Sequence, residues 1–212
     1  MELKQTNINF GAKTLYPMMI KKAVKNGYRL VKADFAELSV RSKKDKQCID
    51  ELKKAWRFSS SENNYIHDIA QKFYDDAGFK TSPLYRYFVV RLASGKKKMS
   101  QKIASIMAVK IEPKELLFLD YIQSASQVKH NSNVPKVKGA GELGILGLIK
   151  LAKGSLLKRL CLSSTNDTFY DKLGFKFNYE HIQSVSSSAT HSLPKRKYNS
   201  FIEKTEKKYN IQ

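Results

Sequence analysis

Cysteine is scarce in this 212-residue chain. Cys48 and Cys161 are the whole supply, with neither the number nor the spacing of a disulfide framework or a zinc site. The four histidines, His67, His130, His181 and His191, are dispersed and lack clustered cysteine or carboxylate at ligand spacing, so no metal centre is expected. No apolar run reaches the roughly 20 residues that span a bilayer, and the stretch from Met1 to Asn7 has no apolar h-region. The expectation is a soluble, cytoplasmic protein without a membrane span or a classical export signal; export as an effector stays open. Acidic residues are short as well: 19 Asp and Glu face 39 Lys and Arg, a formal net charge of +20. Such a field concentrates nucleotides, RNA, acidic proteins and anionic lipid. It names a class of partner and not a reaction, and the same lysines can equally do no more than solvate a surface.

What the chain does have is a 42% apolar fraction spread along its length, the pattern of a globular protein with one good core. Residues 1–27 read as a helical N-terminal extension, because Leu15, Met18, Met19, Lys22 and Val24 fall at partly helical spacing and Asn26-Gly27 reads as a helix stop. Residues 28–35 read as a strand and 41–46 as a charged loop. Ile49, Leu52, Ala55 and Trp56 then share one helical face. A further helix over 64–77 ends at Gly78. From there the period changes: 85–93 and 103–111 are β-rich runs, with Ser94-Gly95-Lys96-Lys97-Lys98 supplying a hairpin turn. Residues 116–122 and 158–163 add two more strands, with a glycine-studded helix from about 141 to 153 between them, a crossover unit. Residues 195–208 read as a basic helical tail, peripheral to the core.

One octet nearly recurs: FYDDAGFK at 73–80 and FYDKLGFK at 169–176. Only the second has a glycine loop and a strand upstream. The first is a helix end, and the chain is not built twice.

Six of the ten glycines lie between Gly139 and Gly174, and three of them head the predicted helix as Gly139-Ala140-Gly141-Glu142-Leu143-Gly144. Free N–H groups in a helix's first turn, together with the helix dipole, suit an anion such as a pyrophosphate, and Lys136 and Lys138 reinforce that. Glycines at three-residue steps equally allow a helix to pack closely on a sheet, and sequence leaves both readings open. The dinucleotide fingerprint G-x-G-x-x-G does not fit, because a long polar loop precedes Gly139 and no acid stands about 20 residues on.

Lys136-Val137-Lys138-Gly139-Ala140-Gly141 resembles the Q/R-x-x-G-x-G/A acetyl-CoA loop of the GNAT superfamily of N-acetyltransferases, and Phe169-Tyr170-Asp171-Lys172-Leu173-Gly174-Phe175 resembles its F-Y-x-x-x-G-F signature. The element order over 28–177 is similar to the family core. The resemblance implies an α/β (α+β) fold with a mixed, mostly antiparallel central sheet flanked by helices over residues 28–185, followed by a basic C-terminal tail over 186–212. It implies acetyl-CoA as donor and no metal, with Lys136, Val137, Lys138, Gly139, Ala140 and Gly141 around the pyrophosphate. The N–H near Ile122 would polarise the thioester, and Asn166 and Ser163 would meet the pantetheine arm. Tyr170 stands where the family places its general acid, and Asp120 is the better placed general base, with Glu115 the alternative. Lys136 departs from the family's Arg or Gln, and Glu142 beside a phosphate is tolerable only if it points away. The basic surface favours an acidic or nucleic-acid-associated acceptor, such as a protein amine or an aminoacyl-tRNA. The rival is a non-catalytic RNA-binding module using Lys96 to Lys98 and the tail, with Tyr198 and Phe201 interleaved.

Overall fold

The computed structural model describes residues 12–56, 65–78, 84–93, 101–112, 115–125, 135–164, 166–177 and 190–211. The hairpin turn at 94–98, the middle of the loop before Pro135 and the serine-rich stretch at 184–188 lie outside them.

The first described element is a strand, β1 (Lys13–Val24), where the expected N-terminal extension reads as helical. Its buried side chains, Met18 and Ile20, alternate with more exposed ones, so the period is two and the helical spacing was coincidental. Asn26 and Gly27 close a hairpin: Val24 faces Gly27 across a tight turn, and Gly27 takes φ +122, which a side chain rarely adopts. The return strand β2 (Gly27–Leu38) leads to α1 (Lys43–Ala55), which begins inside the expected charged loop because the Ser42 hydroxyl accepts the Asp45 N–H at 3.2 Å and caps it. Next come α2 (Tyr65–Gly78), β3 (Arg86–Leu92), β4 (Ile103–Glu112) and β5 (Leu116–Ser124). The short β6 (Val137–Lys138) runs directly into α3 (Ala140–Lys153), followed by β7 (Arg159–Leu162), α4 (Asp167–Lys172), β8 (Lys176–Phe177), β9 (His191–Pro194) and α5 (Tyr198–Tyr209).

Among the described residues the strands form one sheet in the order β6-β1-β2-β3-β4-β5-β7-β9-β8. Every pairing is antiparallel except that of β5 with β7, the pair joined by the crossover through α3. Successive residues of β3 show the two faces. Tyr87 packs edge-on against Phe73 of α2, while Phe88 stacks on Phe35, whose ring lies against Gly147 of α3. A Cβ at Gly147 would lie 2.3 Å from that ring, and one at Gly144 would lie 2.7 Å from the Met107 sulfur. These two glycines therefore serve helix-on-sheet packing.

The tail is part of the core and not peripheral. Strand β9 sits between β7 and β8, and α5 buries Tyr198, Phe201, Ile202, Thr205 and Tyr209 as it crosses α3. Tyr198 is 1% exposed and Phe201 7%, so neither is available to stack on a base as the RNA-binding alternative requires. No described helix is long and apolar enough to cross a membrane.

Candidate active site

Strands β5 and β7 run together only from Leu116 opposite Arg159 to Leu119 opposite Leu162. Beyond that point β5 continues along β4 to Ser124 while β7 ends, so a wedge opens at the carboxyl ends of the two parallel strands. The opening coincides with a β-bulge. Val109 faces Leu119 and Ala108 faces Tyr121, which leaves Asp120 as the extra residue. The bulge turns Asp120 and Tyr121 toward the same face, the one covered by α2. The Tyr85 hydroxyl donates to Asp120 Oδ2 at 2.7 Å, and Tyr65 of α2 lies 5.8 Å from the Tyr121 ring.

Tyr85 is itself held in place. The buried Asp76 carboxylate accepts the N–H of Leu84 and of Tyr85, each at 3.0 Å, and the Tyr87 hydroxyl at 2.7 Å. Burial, and then the hydrogen bond to Asp120, keep the Tyr85 phenol protonated well above its ordinary range. Ile122 pairs with Met107 and is half-buried on the α3 side of the sheet. Glu115 lies at the opposite end of β5, at φ +60, and pairs with Lys158 at 2.7 Å. Four strand residues lie between it and Asp120, a rise of roughly 17 Å along the chain. The structure does not bring this alternative base to the opening.

The glycine loop follows from β6. Lys138 faces Lys21 and Val137 faces Lys22 of β1, and the Lys136 carbonyl accepts the Ala23 N–H at 2.9 Å. Gly139 then caps α3 at φ +84, and its carbonyl accepts the Leu143 N–H at 3.0 Å. A Cβ at Gly139 would fall 1.8 Å from the Tyr209 hydroxyl. Both the backbone angle and the phenol of α5 demand glycine here. Ala140 is buried, and Gly141 has open space but for the Phe169 ring of α4, 3.7 Å from where a Cβ would stand. The Lys138 ammonium lies 5.8 Å from the centre of the Tyr28 ring, and Lys136 is exposed.

Glu142, in the first turn of α3, points into α5. The Lys208 ammonium donates to its Oε2 at 2.5 Å and the Tyr209 hydroxyl at 2.8 Å. The carboxylate is thereby paired with a cation and a phenol of α5, on the wall of the cleft described below.

Asn166 caps α4 by accepting the Phe169 N–H at 3.2 Å, which commits its side-chain oxygen and leaves its amide nitrogen as donor. Tyr170 is buried, its ring 5.0 Å from Phe169, 5.6 Å from Phe175 and 6.4 Å from the buried His191. Burial, with a smaller influence from Tyr65, pushes its phenol up to about 12. Ser163 is exposed just past β7. Cys161, on β7, is a buried free thiol pushed up to about 11 by desolvation, so it stays protonated and inert.

Between the first turn of α3, the end of α4 and α5 lies a cleft of about 440 Å³. Lys172, Lys197, Lys204 and Lys208 line it.

No protein-family model matches the sequence, and no curated protein does. Solved structures do. The AtaTR complex bound with acetyl-CoA aligns over 79% of this chain and 96% of its own, with a TM-score of 0.50 and 11% identity. An acetyltransferase of the GNAT family from Staphylococcus aureus Mu50 aligns over 77% of this chain and 99% of its own, at 0.47 and 9%. A spermidine N-acetyltransferase chimera from Vibrio cholerae and human sequences covers 79% and 98%, at 0.48 and 14%.

The fold is that of the GNAT acetyltransferases.

In this GNAT fold the glycine loop meets the sheet near the carboxyl end of β5, where the Ser105 hydroxyl, on the residue opposite Ser124, donates to the Ala140 carbonyl at 3.1 Å. Sequence reading passed over several residues that structure adds. Lys204 and Lys208 recur at four residues on one face of α5, with Lys197 a further seven back, a periodicity visible in the chain. Lys72 and Tyr85, by contrast, meet Asp120 only through tertiary packing and carry no local signal.

Proposed function

We propose that the protein is an acetyl-CoA-dependent N-acetyltransferase acting by direct attack of an amine in a ternary complex. The observation that carries this reading is the wedge between β5 and β7, opening at a bulge beside a glycine-headed helix N-terminus. The acetyl-CoA in the AtaTR structure supports the choice of donor. The residues fit it: Gly139 turns the chain, Ala140 and Gly141 open the first turn of α3, where backbone N–H groups have no partner within the helix, and Glu142 is paired with Lys208 and Tyr209. Lys172, Lys197 and Lys204 offer cations to a phosphorylated adenosine.

Acetyl-CoA supplies an activated acyl group. On β5, the N–H near Ile122 aims at the thioester carbonyl and stabilises the oxyanion that develops there. Asp120 takes the proton from the attacking amine, steadied by the Tyr85 hydroxyl. Tyr170, protonated at neutral pH, gives its proton to the leaving thiolate. The acceptor comes from the α2 face of the sheet. The net charge of +20 favours an amine on an acidic or nucleic-acid-associated partner over a small polyamine.

Isothermal titration with acetyl-CoA tests the reading. Binding that Gly139→Glu abolishes, while Leu156→Ser on an exposed site leaves it intact, supports it. Absence of binding to folded protein would overturn it. Labelled acetyl-CoA in a lysate, with the label located by mass spectrometry, then identifies the acceptor.

A further inference from the structure

The bulge places Asp120 and Tyr121 on the α2 face, opposite the glycine loop and α3. On that face an amine is already present. Lys72 of α2 holds its Nζ 3.7 Å from Asp120 Oδ2, 4.7 Å from the centre of the Tyr85 ring and 5.3 Å from that of Tyr121. Its side chain is 28% exposed, so the ammonium is confined without being sealed off. Among the described residues, the other lysine placed on this face of the neighbouring strands, Lys110, lies over Phe118, where β7 still closes the edge of β5. Lys72 alone of the two stands at the wedge.

We propose that the enzyme acetylates its own Lys72 in cis. The proposal rests on the acetyl-CoA reading above and goes beyond it by naming a residue of this chain as acceptor. The Lys72 ammonium gives one proton to Asp120, and the freed lone pair forms the C–N bond to the acetyl carbon. The C–S bond breaks, and the departing thiolate takes the Tyr170 proton. The second nitrogen proton passes to solvent, and the proton held by Asp120 returns through solvent to the Tyr170 phenolate, restoring both groups. One ammonium and one thioester thus become one amide, one thiol and one released proton.

The product has a different acceptor face. An acetylated lysine carries no charge, so the two tyrosine rings lose their cation and Asp120 loses its ion-pair partner. Self-modification in this form removes one positive charge from the place where an external amine must enter.

Full-length protein incubated with acetyl-CoA and no other acceptor provides the test, read by intact mass and peptide mapping, with calorimetric titration of acetyl-CoA alongside. The expected result is one acetyl group, on Lys72, appearing at a rate independent of protein concentration. Lys72→Arg should lack it while its melting temperature reports an intact fold, and Asp120→Asn should slow it by about a hundredfold. Calorimetric binding of acetyl-CoA with Lys72 unmodified would overturn this proposal and leave the acetyltransferase reading standing. So would modification of Lys72 no faster than that of the exposed Lys54 or than in heat-unfolded protein. A rate proportional to protein concentration would replace the cis reaction with one between molecules. No calorimetric binding removes both readings together.

Discussion

The phenol of Tyr170 holds its proton because its ring is packed among Phe169, Phe175 and His191, where an anion would be poorly solvated. The folded protein keeps that proton to about pH 12, whereas an unfolded chain releases it near the ordinary 10.0. The sign follows: the contribution to stability is whole below pH 10.0 and is lost as pH rises through about 12. Tyr74, raised to about 12 by burial and Asp50, acts in the same window. Denaturant midpoints should therefore fall across that range, and Tyr170→Phe should make the fall shallower, with tyrosinate absorbance tracking it. At neutral pH the same substitution should lower kcat by about a hundredfold with little change in the KM for acetyl-CoA, read by thiol release. Gly139 is a second residue set by two constraints at once. Gly139→Ala should lose about 1–2 kcal/mol to the left-handed angle alone. The contact with Tyr209 adds to that, so a cycle with Tyr209→Ala, measured by chemical denaturation, should show positive coupling between the two sites.

At the scale of elements, α5 and α3 act as one unit, because the first turn of α3 carries an acid that α5 answers with Lys208 and Tyr209. Replacing both, Lys208→Ala with Tyr209→Phe, frees a carboxylate beside the first-turn amides of α3, where we propose the diphosphate binds. Calorimetry should then show acetyl-CoA binding weakened by about tenfold, and Glu142→Gln in the same background should restore it. The near-repeat of the octet also resolves at this scale. In the first copy Asp76 turns inward and ties α2 to the start of β3, whereas the second copy has Lys172 at the matching place, exposed on the rim of the cleft. Most elements were legible from chain periodicity: β3, β4, β5, β7, α2 and α3 lie within a few residues of expectation. The sequence left the role of the glycines open; the structure assigns packing to Gly144 and Gly147, against Met107 and Phe35. Strand β1 was misread because Met18 and Ile20 sit among Leu15, Met19 and Lys22, which imitate a helical step. The short β9, the bulge at Asp120 and the Lys72 contact depend on partners far along the chain, and no local pattern reports them.

Across the whole molecule the formal net charge is +20, and part of the positive charge is gathered at one place. Lys172, Lys197, Lys204 and Lys208 converge on one cleft from α4, the turn before α5 and α5 itself, and of these Lys208 is neutralised by Glu142. Cations drawn from different elements to a common concavity focus the field at one end of the wedge, where a polyphosphate donor would enter. The cost of crowding like charges is offset when an anion arrives, so binding there should depend steeply on salt. Calorimetric affinity for acetyl-CoA should fall as ionic strength rises. The triple substitution Lys172→Ala, Lys197→Ala, Lys204→Ala should lower the affinity at low salt and flatten that dependence, and it should leave affinity at high salt nearly unchanged. Dephospho-CoA separates this cleft from the rest of the charge: it should bind the wild type more weakly than coenzyme A, and the triple variant should no longer tell the two apart. If the variant still discriminates between them, the lysines merely solvate the surface and the 3′-phosphate is read elsewhere.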